Sequence, residues 1–112
     1  MNYNELTDFE INKLVAVKQG LNLTEGQYYA PTIGFLEKGK GFNRVDYCNN
    51  PSDAWPIILE NRIRISPNPT TEIWTAENDI ILGSFENGGL NFVEHKNPLR
   101  AAMIVYLMMG DE

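Results

Sequence analysis

The sequence predicts an α+β fold, a single small domain over residues 1–112 with a mainly antiparallel sheet packed by about three helices. Three observations carry this. A complete helix-start signal precedes an apolar stripe at Thr7. Short β-prone runs, broken by Gly, Pro and Asn, fill the middle of the chain. Residues 98–109 then form a nearly unbroken apolar run behind Asn97-Pro98.

The first helix is expected over 7–19. Thr7 and Glu10 have capping-box spacing, in which each side chain satisfies a backbone donor at the helix start. Leu6 and Ile11 occupy the staple positions around that start, Leu14, Val15 and Val17 continue the stripe, and Gly20 supplies the stop. Residues 22–41 carry too many Gly and Pro for a period, yet Tyr28, Tyr29, Ile33 and Phe35 are too apolar for a linker. A strand over 28–35, a turn over 37–41 and an alternating strand over 42–47 follow.

A second helix is expected over about 53–61. Pro56 lacks the amide donor needed from the fourth helical residue onward, so the helix caps at Asp53 or later, or kinks, with Asn50-Pro51 forming a tight turn before it. Trp55, Ile58 and Leu59 share one face by their spacing. Residues 63–65 read as a short strand, and Pro67-Asn68-Pro69 as a turn. Segments 72–75, 79–83 and 90–93 read as strands of an antiparallel meander, with a turn at 87–89. Asn97 caps the last helix, 98–109, and Pro98 takes its first position.

Charge and length exclude several functions. With 9 Lys and Arg against 15 Asp and Glu, the chain carries a formal charge of −6. Non-specific nucleic-acid binding relies on neutralising phosphates, so no nucleic-acid partner is expected. The C-terminal apolar run is too short to span a bilayer, which takes about 20 residues, so no membrane partner is expected either. Its lack of charge leaves a homodimer open. The single cysteine, Cys48, permits no internal disulfide and fits a reducing compartment. No signal peptide is evident at the N-terminus, and the location is read as cytoplasmic.

Candidate chemistry is sparse. The stretch from Gly34 to Gly41 resembles a phosphate-binding loop, but Gly41 stands where a hydroxyl should bind magnesium, and a strand follows instead of a helix. A glycine-rich hairpin turn is the reading. Cys48 and His95 offer one possible nucleophile pair, and a half-buried thiol with a strand-end histidine is the plainer alternative. So few Cys and His exclude a four-ligand zinc site, and the spacing and closing Glu of a calcium loop are missing. No metal, cofactor or catalytic residue is therefore assigned.

Two features stand out as candidates for ligand or partner binding. Asp46, Asn49, Asn50 and Asp53 crowd one segment with Tyr47 and Cys48, either as a polar pocket or as ordinary turn and cap residues. Arg100 is the sharper anomaly, a cation in the first turn of an apolar helix, where the helix dipole disfavours it. It needs an anion, which is either an internal carboxylate, Asp46 or Asp53, or the phosphate or carboxylate of a ligand. Tyr28, Tyr29 and Trp74 would mark an interface if exposed, and core packing if not.

Three blocks together resemble a known family: Leu6-Thr-Asp-Phe-Glu-Ile-Asn-Lys-Leu-Val15, Asp46-Tyr-Cys-Asn-Asn-Pro-Ser-Asp-Ala-Trp-Pro-Ile-Ile58, and Asn97-Pro-Leu-Arg-Ala-Ala-Met-Ile-Val-Tyr-Leu-Met-Met109. They resemble the NinX-like proteins of tailed phages and enterobacterial prophages. Segments 22–41 and 67–95 match least, so nothing residing there transfers. The resemblance implies a phage-encoded accessory protein of the host cytoplasm, and it brings no catalytic residues. With no catalytic constellation in view, the expected function is a non-enzymatic binding protein that modulates a host process through a host protein. The alternative is a sponge for a small anionic ligand, a nucleotide signal, acting in counter-defence. An enzyme using Cys48 is a third reading.

Overall fold

A computed structural model describes residues 2–21, 30–37, 41–78 and 92–109. After a short 3-10 turn at Tyr3–Glu5 the order is α1 (Asp8–Lys18), β1 (Ile33–Glu37), β2 (Gly41–Val45), α2 (Pro51–Glu60), β3 (Ile63–Pro67), β4 (Trp74–Asn78), β5 (Phe92–His95) and α3 (Pro98–Met108). The strands form two antiparallel sheets, the pair β1–β2 and the three-stranded β3–β4–β5. The α+β class and three helices agree with the sequence reading.

The helix ends follow their local signals. Thr7 and Glu10 form the reciprocal capping box. At the other end, the Gly20 amide bonds Val17 and the Leu21 amide bonds Ala16, with Gly20 at φ +80°. This double closure satisfies the last carbonyls and needs a left-handed residue. Asn97 caps α3 by accepting from the amides of Leu99 and Arg100, with Pro98 in the first turn.

The start of α2 differs from the expectation. Asn50 is its cap, accepting from the Ser52 amide, and Pro51 opens the helix, so Pro56 lies inside it. The proline is tolerated because Ser52, whose carbonyl loses its i+4 donor, is exposed, as is Pro56 itself. Ala54, Ile57 and Ile58 form the buried side of α2, while Trp55 and Leu59 stay outside the core.

The core forms around α3. Arg100 through Leu107 are all buried, so this helix is covered on every side, by α1, α2 and β3–β4–β5. At its N-terminal end Arg100 reaches Asp8. Six residues on, Lys18 at the end of α1 donates to the Tyr106 carbonyl and lies 4.1 Å from the Tyr106 ring centre, while Gln19 donates to its hydroxyl at 2.7 Å. With both ends matched, α1 and α3 run side by side in the same direction.

In the three-stranded sheet, β4 pairs with β3 (Ile63 opposite Asn78) and with β5 (Trp74 opposite His95). Residues 92–95 thus pair directly with 74–77. The expected strand at 79–83 and turn at 87–89 lie outside the described residues, as do Tyr28 and Tyr29. Strand β1 begins at Ile33 and pairs with β2 in a register that sets Glu37 opposite Gly41, consistent with a hairpin. No helix among the described residues is long and apolar enough to cross a membrane.

Candidate functional site

The segment singled out in the sequence folds into a polar knot where the first turns of all three helices meet. Its centre is Asn12, a fully buried side chain on α1. Asn12 donates to the Pro31 carbonyl and to Asp46 Oδ1, both at 2.8 Å, and accepts from the Cys48 amide at 2.9 Å. Asp53 Oδ2 takes the Asp46 amide at 2.9 Å, closing the loop before α2. Asn49 donates to Asp46 at 3.0 Å and to Asp8 at 3.3 Å. Asn97 donates to the Cys48 carbonyl at 2.6 Å and to Asn49 Oδ1 at 3.4 Å.

Arg100 enters the same knot, but not through the expected carboxylates. Its Nη1 donates to Asp8 Oδ1 at 2.7 Å, and its Nη2 reaches the carbonyls of Leu6 and Asn4. Asp46 is taken by Asn12 and Asn49, and Asp53 by the Asp46 amide, whereas Asp8 opens α1 beside the start of α3. Asp8 therefore offsets a cation that the dipole of α3 disfavours. The Nε of Arg100 is buried and has no hydrogen-bond partner among the described residues.

The nucleophile reading loses its geometry here. Cys48 is fully buried, and its sulfur faces the Asp8 carbonyl at 3.9 Å. Burial, with the nearby Asp8 charge adding to it, pushes the thiol well above its ordinary range, despite Arg100. His95 is occupied elsewhere, its Nδ1 accepting the Asn97 amide at 2.9 Å. Burial and the Arg100 charge hold its pKa below the ordinary value. Tyr47 is pushed up to about 12, by burial first and then by Asp53. Among the described residues no cluster of three or more His, Cys, Asp or Glu would hold a metal ion.

The concave surface lies next to the knot. A groove of about 550 Å³ is walled by Trp55, Leu59 and Arg62, floored by Ile58, Ile63 and Ile65, and closed by Trp74, Pro98 and Leu99. Trp55 and Leu59, 53% and 58% exposed, stand together on this groove, whereas Val17, Phe42 and Phe92 are similarly exposed elsewhere. Trp55, Ile58 and Leu59 all line the groove, with Ile58 buried at its base in the core and Trp55 and Leu59 exposed. Arg62, the residue after the helix cap, stands at φ +53°, a left-handed conformation that helices usually give to glycine. A second recess along Phe9, Lys13 and Val17 is as large but draws on α1 and its approach alone.

Sequence reasoning named Trp74 as a possible interface residue and missed Leu59, Arg62 and the polar anchors Asp8 and Asn12. A signal for the groove was present: α2 carries Trp55, Ile57, Ile58 and Leu59, more large apolar side chains than one buried face accommodates.

A buried helix packed by two further helices and a three-stranded antiparallel sheet, with a separate two-stranded sheet, defines a small α+β protein. The chain belongs to the NinX family of bacteriophage P22, whose family model matches residues 2–110. Among solved structures it is similar to a phage protein from Bacillus cereus ATCC 14579, with a TM-score of 0.67 and 17% identity over 96% of this chain and 90% of that one. At that identity the likeness speaks for the fold alone. No curated protein matches the chain.

Proposed function

We propose that this phage protein is a non-enzymatic binding protein of the infected host's cytoplasm, modulating a host process by holding a host protein in the groove between α2 and the three-stranded sheet. The exposure of Trp55 and Leu59 on a concave surface carries the reading. Large apolar side chains left in water at a groove are the usual mark of a docking surface, and Trp and Arg are the residues most often found at its energetic centre. In this reading Asp46, Tyr47, Cys48, Asn49, Asn50, Asp53 and Arg100 act from behind, as the frame that fixes where α2 and α3 stand.

Affinity capture from host lysate, comparing the full chain with the Trp55→Ser/Leu59→Ser double variant, tests it. A protein recovered by the first, lost from the second, and bound again when purified supports the reading. Recovery that ignores both substitutions overturns the groove.

One observation favours the alternative, a sponge for a small nucleotide-like anion. Arg62 lines the same groove as Trp55 and Trp74, and such a set suits a phosphate and a stacked base. A thermal-shift panel of nucleotides, with a response lost in Arg62→Ala, would move the assignment to that reading.

A further inference from the structure

We draw no further inference here: the strongest candidate, the apolar groove between α2 and the three-stranded sheet with Trp55 and Leu59 exposed on it, carries nothing beyond the function already proposed, because nothing in the structure shows what covers it.

Discussion

Arg100 and Asp8, 92 positions apart, meet in a 2.7 Å ion pair that joins the first turns of α3 and α1. The arginine side chain is 8% exposed and the aspartate 32%. Removing one member of a fully buried pair costs about 3–5 kcal/mol. Solvent reaching Asp8 lowers that figure, so Asp8→Ala should cost about 2–3 kcal/mol. Urea unfolding measures it, and an unchanged midpoint would show that the pair contributes little.

Asn12 should be harder to replace than its type suggests. Asn12→Leu removes a side chain with three partners and strands the buried Cys48 amide. At about 1–3 kcal/mol for each buried polar group left unpaired, the loss should reach about 3 kcal/mol. Denaturant titration is again the measurement. A loss under about 1 kcal/mol would mean that the loop repacks around the change.

Cys48 should resist alkylation in the native state. Its thiol is fully buried and held in the protonated form. Iodoacetamide at pH 8 should label the chain only after denaturant is added, as mass spectrometry would read directly. Rapid native labelling would reopen the nucleophile reading.

His95 gives stability a pH dependence of definite sign. Its folded pKa lies below the ordinary 6.5 because burial and Arg100 disfavour the cation. Below 6.5 the unfolded chain takes up the proton more readily, so the contribution of His95 is complete above that pH and is lost as pH falls toward the lower folded value. Protonation also removes the Nδ1 acceptor used by the Asn97 amide. Unfolding midpoints should decline from pH 7.5 to 5.5, and His95→Asn, which keeps an acceptor but does not titrate, should flatten that decline.

Arg62→Gly should separate stability from binding. Relief of the left-handed strain, less the added freedom of glycine in the unfolded chain, should stabilise by about 0.5–1 kcal/mol. The melting temperature should rise while groove binding weakens. If both rose together, Arg62 would have no part in recognition.

The features legible in the sequence were those written locally. Thr7 with Glu10, Gly20, and Asn97 with Pro98 each act within a few residues of themselves, and the helix ends fall where they indicate. Pro56 misled because its cost depends on whether the Ser52 carbonyl meets water, which spacing does not state. Asn97 was readable as a cap but not as the donor to Cys48, and the side chains of Asp8 and Asn12 find partners 19 to 92 positions away. The groove was hidden for a related reason. Which side of α2 faces inward is decided by β3 and α3, and no period within α2 records it.

The convergence of the three helix starts bears on how the molecule opens. None of those first turns can unwind alone, since Asn49 touches Asp8, Asn97 holds the Cys48 carbonyl, and Arg100 grips the chain entering α1. Fluctuations that expose one should expose all, so their amides would exchange with solvent deuterium as a single cooperative unit. Trp55 and Leu59 lie outside that clasp, on the exposed side of α2.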